Sequence, residues 1–366
     1  MSFDSMRLKR NERLSLEMPF RGLSWTGVRF SAPPPDYVQG LVVYGQSFFI
    51  CLNDLLAMTR RTVCGKTSIH AKVLLYECVR CQSMKKKTAL VLEGGAFRGQ
   101  FTAGVIDVFL EHGITFDACY GVSAGSLIGA NYKAKQIGRP NRVNLALRDD
   151  KRYMSFNNLT GTGNLIGYDF LFNDVDDKID PFDNETFNSN PMPLYAVVSD
   201  IVFGTADYIK VEDSHFDMDA IRASTALPLL SQPVEIGGHK YLDGGFTDAV
   251  PIEHVLEQAG FDQAVVVLTR ERGFVKKPYE FMSPAKQVYA DYPFFVEALA
   301  NRHERYNLQR EHIYAYEKEG RALIVEPQKP VELGQFDRDG SKLLDLYIQG
   351  RQHATHLLED IEKFIA

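Results

Sequence analysis

From residue 88 onward the chain alternates between two hydrophobic rhythms. Unbroken apolar runs at residues 89–92, 195–199 and 264–268 are short, as expected of strands buried on both faces. A further run at 322–326 reads as a late strand. Between them the period changes. Residues 101–112 place Val105, Ile106, Phe109 and Leu110 at helical spacing and stop at Gly113. Residues 127–132 and 251–258 read as further helices, 280–318 as a long polar helical region, and 337–365 as one or two amphipathic helices. Residues 116–120 lead into a turn at Gly121. Strands buried on both sides and separated by helices predict an α/β fold: three layers, α/β/α, with a mainly parallel central sheet.

The first 83 residues lack this rhythm. They contain the single Trp (Trp25), four cysteines and a Pro33-Pro34-Pro35 run. Met84 and a lysine cluster then precede the first apolar strand, which is how many α/β chains begin. The expected organisation is an N-terminal extension at 1–83, poorly ordered and upstream of a true start at Met84, a catalytic domain at 84–275, and a mainly helical C-terminal region at 276–366 packed on it. Intact-mass analysis of the protein from its native locus tests the start; a species beginning well before Met84 refutes it.

Composition changes this picture little. The 366 residues are 45% hydrophobic and 24% charged, an ordinary globular balance, and the net charge of −6 gives no whole-chain argument for nucleic-acid binding. Five cysteines are too few for a disulfide scaffold and fit a reducing, cytoplasmic setting. Cys78-Val79-Arg80-Cys81 is a lone CxxC, short of the paired knuckles a zinc site needs. No apolar run reaches the roughly 18 residues of a membrane-spanning helix. The N-terminus lacks the apolar core of a secretory signal.

Three short motifs carry the candidate chemistry. Gly121-Val122-Ser123-Ala124-Gly125 follows an apolar strand and precedes a helical pattern, the context in which a small–x–Ser–x–small turn exposes a nucleophilic hydroxyl. On its own this pattern has many chance matches. Glu93-Gly94-Gly95-Ala96-Phe97-Arg98-Gly99 puts glycines directly after a strand, where bare N–H groups can receive an anion. It is not a P-loop, since no GK[ST] follows, and its glycine spacing is wrong for a dinucleotide fingerprint. An oxyanion hole remains, with Arg98 near the rim, or else a plain strand-to-helix turn. Asp243-Gly244-Gly245 is a third candidate. Alone it reads as a structural turn; beside the other two it is a proton acceptor.

Together, in this order and spacing, the motifs resemble the patatin-like phospholipase family, and most closely its stand-alone bacterial members. The resemblance runs from about Thr88 to about Arg270. It implies a Ser123–Asp243 dyad with no histidine, and an oxyanion hole formed around Gly94, Gly95 and Ala96 and shaped or charged by Arg98. Gly99, Gly121, Gly125, Gly244 and Gly245 would support the motifs. It implies a serine acyl hydrolase, a lipase, phospholipase A or esterase acting on fatty-acyl esters without metal or organic cofactor. Alternatives are an acyltransferase with the same dyad and a non-catalytic lipid-binding protein. Ala96 departs from the family, which has a third glycine there. If that position needs positive φ, its Cβ strains the hole; the expected outcome is a surviving hole with an altered mouth.

The order Ser…Asp…His permits a triad with His254, His303 or His312, but all three fall in helical stretches that read as surface. His239 reads as a hairpin residue and Asp200 as a turn aspartate at a strand end. Residues 224–228 would wall the pocket, and the Gly- and Asn-rich segment 157–169 would form a mobile cap. The aromatics at 289–296 are candidates for transient contact with a membrane surface. Partners are then a lipid or ester substrate and no nucleic acid.

Overall fold

The computed structural model of the chain describes residues 42–44, 47–49, 86–215 and 217–366. Met1–Met84 and Lys85–Ala366 are two separate compact units. In the first, Val42–Tyr44 pairs antiparallel with Ser47–Phe49. The expected start at Met84 and the CxxC lie outside the described residues, as does the rest of 1–83 apart from this pair of strands.

The second unit is built on an eight-stranded sheet. Its strands are β1 (Thr88–Leu92), β2 (Ala118–Val122), β3 (Leu194–Asp200), β4 (Thr205–Val211), β5 (Val234–Ile236), β6 (His239–Asp243), β7 (Gln263–Val267) and β8 (Ala322–Val325). The order is β8-β7-β1-β2-β3-β6-β5, with β4 also paired to β3. Pairing is parallel from β8 through β3 and antiparallel in β3–β4, β3–β6 and β5–β6. The sheet is therefore mixed: the parallel half follows the expectation, and the antiparallel half is an addition to it. The cause is connection length. The β3–β4 and β5–β6 links are tight turns, the latter Gly237-Gly238 with both φ values positive, and so short a link can only reverse the chain.

Each central strand divides its side chains strictly between two faces. Leu90, Leu92, Val265 and Val267 join one core, and Ala89, Val91, Ala264 and Val266 the other. The first core is covered by α1 (Gly99–Glu111) and α2 (Ala124–Lys133) through Val105, Ile106, Phe109 and Ile128. The second takes Val255 and Leu256 from the wide-turn helix His254–Gln258, and Tyr306 and Ile313 from a C-terminal helix. With helices on both faces, the three-layer expectation holds.

The helical region at 280–318 is not continuous. It comprises Met282–Val288, Pro293–Ala300 and Arg302–Lys318, here α3, α4 and α5. Pro293 opens α4 at the first-turn position, where its missing N–H costs nothing. At the C-terminus follow α6 (Gly340–His356) and α7 (Leu358–Ile365). Asp339 caps α6 by accepting from the Ser341 N–H at 2.9 Å. α6 lies along α1, where the Tyr347 hydroxyl donates to Asp107 at 2.7 Å.

Candidate active site

The strands β1, β2 and β7 run parallel, so their C-terminal ends open on one edge, where sites collect in such sheets. β3 then brings two motifs together. β4 occupies one edge of β3 along its whole length, so β2 and β6 must share the other. β2 runs parallel to β3 and ends with Val122 opposite Val197. β6 runs antiparallel and ends with Asp243 opposite Val198. The two strands meet head to head and bring Ser123 beside Asp243 across that seam, close enough for the serine to act on the Asp243 carboxyl.

Ser123 sits on the turn between β2 and α2 at φ 54°, ψ −124°, a conformation side chains rarely adopt. The surroundings hold it there. Its N–H donates to Ser224 Oγ at 2.9 Å, and the Ser224 hydroxyl donates to the Val197 carbonyl at 2.7 Å. Its carbonyl accepts from the Ser126 N–H and hydroxyl. The turn also needs Gly125, since a Cβ there would stand 2.4 Å from the Leu92 carbonyl oxygen.

Asp243 is 2% exposed. Burial raises its carboxyl to about pH 6, opposed first by the Ser123 hydrogen bond and then by the Gly245 N–H, which donates to Oδ1 at 2.8 Å. A carboxyl poised near neutrality beside a strained serine suits proton exchange.

The glycine-rich loop after β1 closes over the serine. A Cβ on Gly94 would fall 2.8 Å from Ser123 Cβ, so only glycine admits this approach. Among the described residues the N–H groups of Gly94, Gly95 and Ala96 donate to nothing. Ala96 has φ 48°, so the position does adopt the conformation that disfavours a Cβ. Arg98 lies in the short 3₁₀ turn Ala96–Arg98, and its Nε has no partner among the described residues.

Two cavities meet at Ser123. One has about 950 Å³ of empty volume including its open mouth, and is lined by apolar side chains such as Leu127, Val143, Ile166, Leu171 and Phe172. The other, about 470 Å³ on the same measure, is polar and contains Asp243, Glu93, Arg98, Lys276, Arg302 and Tyr306.

The remaining expectations sort as follows. Ser224 Oγ holds the Ser123 turn by accepting its N–H, and Thr225 and Leu227 wall the apolar cavity. The 157–169 segment contains a short helix, Phe156–Thr162, and the bridge partners Met154 and Ile166 line the cavity beside it. Of the aromatics at 289–296, Tyr289 and Phe295 are buried and Phe294 is 60% exposed. No described histidine lines either cavity. His254 stacks on Tyr208 with ring centroids 3.5 Å apart, and His312 pairs with Glu253. His239 pairs with Asp200, whose other oxygen caps the turn by accepting from Val202 and Phe203. Asp200, Asp207 and His239 bring ligand atoms within 4.8 Å, but Asp200 serves this turn and Asp207 accepts from Tyr241.

The sequence reading missed Glu93, Lys276, Arg302 and Tyr306. Glu93 is buried and fully engaged, accepting from the Thr269 N–H at 2.6 Å and the Tyr306 hydroxyl at 2.6 Å. Arg302 Nε donates to the Gly245 carbonyl at 2.8 Å and so braces the Asp243 turn.

Residues 90–256 match the sequence model of a family described as patatin-like phospholipase, and 292–366 that of a domain of unknown function, DUF6363. Over 189 residues the chain is 30% identical to the uncharacterized protein YjjU of Escherichia coli K12, covering 50% of this chain and 52% of that one. It is 31% identical over 201 residues to lysophospholipase NTE1 of Debaryomyces hansenii, covering 53% of this chain and 12% of the relative. An uncharacterized NTE family protein of Mycobacterium bovis is 26% identical over 171 residues, 46% of each chain. The chain thus spans about half or less of these relatives. The solved structure of VipD from Legionella pneumophila overlaps with a TM-score of 0.38 at 13% identity, covering 76% of this chain and 67% of that one. Over residues 90–256, where the serine and aspartate motifs lie, the chain carries a domain of the patatin-like phospholipase family.

Proposed function

We propose that the protein is a serine acyl hydrolase that cleaves fatty-acyl esters through Ser123 and Asp243. The observation that carries this reading is the seam on β3. A strained serine and a buried carboxyl raised to about pH 6 face each other, beside three unpaired N–H groups and at the mouth of an apolar cavity. Ser123 Oγ bonds to the ester carbonyl carbon as its proton passes to Asp243. The N–H groups of Gly94, Gly95 and Ala96 receive the oxyanion, with Arg98 adding positive charge nearby. Collapse breaks the bond to the alcohol oxygen, which takes the proton from Asp243. Water then attacks the acyl-serine, giving a proton to Asp243. The second collapse frees the carboxylic acid and returns that proton to Ser123. Every step is closed by the dyad without a histidine.

The apolar cavity takes the acyl chain. The lysophospholipase named among the relatives supports a lipid ester as substrate. No helix among the described residues is long and apolar enough to cross a membrane. We place the enzyme in the cytoplasm with transient access to lipid surfaces, for which exposed Phe281, Val288 and Phe294 offer contact.

The test is hydrolysis of p-nitrophenyl esters from short to long chain. Ser123→Ala and Asp243→Asn should each lower kcat by on the order of 10⁴-fold or more, while His254→Ala should stay close to the parent. A Ser123→Ala protein as active as the parent, or a parent inert on every ester, removes the proposal.

A further inference from the structure

The polar cavity has a charge problem. Arg98, Lys276 and Arg302 converge in it from three elements: the loop after β1, the segment after β7 and the first turn of α5. Two of the three lie outside the family-matched residues 90–256. None forms an ion pair with a described carboxylate. The two acidic groups present are otherwise engaged. Glu93 accepts from Thr269 and Tyr306, and Asp243 accepts from Gly245 and has Ser123 beside it. The cations are held in place by other means. Asn307 clamps the Lys276 backbone on both sides, and its ammonium stands 4.0 Å from the Tyr306 ring centroid. The Arg302 guanidinium lies 4.0 Å from the Phe246 ring centroid.

Burial and mutual repulsion show in the charges themselves. Lys276 is lowered to about 7, first by burial and then by Arg302, and Arg98 to about 10, first by burial and then by Arg270. Glu93 and Asp243 offset part of this charge, Asp243 acting on Arg302 and Glu93 on all three, and the crowded cations that remain in excess are stabilised by an anion placed among them.

We propose that Arg98, Lys276 and Arg302 form a subsite for an anionic group on the alcohol side of the ester, one that selects head groups of net negative charge over zwitterionic ones. This rests on the hydrolase reading. With the acyl chain in the apolar cavity, the alcohol falls on the polar side of Ser123. A phosphate there meets three donors. A head group that also carries an ammonium finds no free carboxylate to receive it and three cations to repel it.

The experiment uses the full chain and three substrates of one acyl chain length in detergent micelles: a lysophosphatidylglycerol, a lysophosphatidylcholine and the p-nitrophenyl ester. The expected kcat/KM favours the anionic lipid over the zwitterionic one by about tenfold or more. Lys276→Met should lower the anionic-to-uncharged ratio of kcat/KM about tenfold, and Lys276→Arg should restore most of it. No anionic preference in the parent, or an equal loss on all three substrates in Lys276→Met, overturns the subsite. Calorimetry on Ser123→Ala protein separates the sources of the anion. Binding of glycerol phosphate that weakens in Lys276→Met supports a head-group site even if the hydrolase reading itself falls. Binding of inorganic phosphate alone shows a free-anion site and overturns the proposal.

Discussion

The two cavities that share Ser123 differ in how they are made. The apolar one draws nearly all of its wall from residues 96–227, inside or beside the same run of strands and helices that carries the serine. The polar one borrows Lys276, Arg302, Tyr306 and Gln335 from the C-terminal segment. The contrast separates machinery from selectivity. Ser123, Asp243, the glycine loop and the apolar cavity proposed for the acyl chain come from one stretch of sequence, and most of the charge proposed to choose a head group arrives from another.

The comparison can be broken first at the turn both cavities depend on. Gly125→Val should abolish activity on every substrate and destabilise the fold by about 3 kcal/mol or more, because its Cβ would meet the Leu92 carbonyl at 2.4 Å. Thermal melting beside ester hydrolysis checks it, and a stable, active variant would show that the turn is less tight than described. Next is the polar wall. Arg302→Met removes the brace on the Gly245 carbonyl, and kcat should fall on the order of 10- to 100-fold with the order of preference among acyl chains retained. A changed chain-length profile would mean the two sides are coupled.

The apolar wall gives the reciprocal case. Val143→Trp fills the cavity and should lower kcat/KM for long-chain esters about tenfold, moving the optimum to shorter chains. An unmoved optimum would place the acyl chain elsewhere. The dyad itself should respond to pH. As pH falls through about 6, Asp243 gains a proton and can no longer accept one from Ser123, so kcat/KM on the uncharged ester should drop below that value and level off above it. A profile flat to pH 4 contradicts the role of Asp243. The smallest effect belongs to the loop. Ala96→Gly relieves a side chain held at φ 48° but frees the unfolded chain, a net gain of about 0.5 kcal/mol readable as a slight rise in Tm.

What was legible in the sequence follows the same division. Apolar runs marked β1, β3 and β7 because strands buried on both faces leave no polar positions to confuse the period. Strand direction left no trace there, since period reports burial and not orientation, and the partly exposed β4 escaped. Ser123, Asp243 and the glycine loop were readable because each makes a local demand on the backbone that few residues meet. Lys276 and Arg302 made no such demand. Arg302 opens a helix rich in charge, where a cation reads as a solvated one. It enters the site only because α5 carries Tyr306 and Ile313 into the second core and so sets its first turn beside Gly245.

The seam on β3 also fixes when the proposed dyad can assemble during folding. Val197 and Val198 must be claimed from opposite directions by chain segments far apart in sequence before serine and aspartate can touch. Local helices can form without that event, whereas long-range strand pairing of this kind is slow. Recovery of hydrolysis after denaturation should therefore date the joining of β2 and β6 on β3, and a refolding chain can regain most of its helical signal while still being catalytically silent.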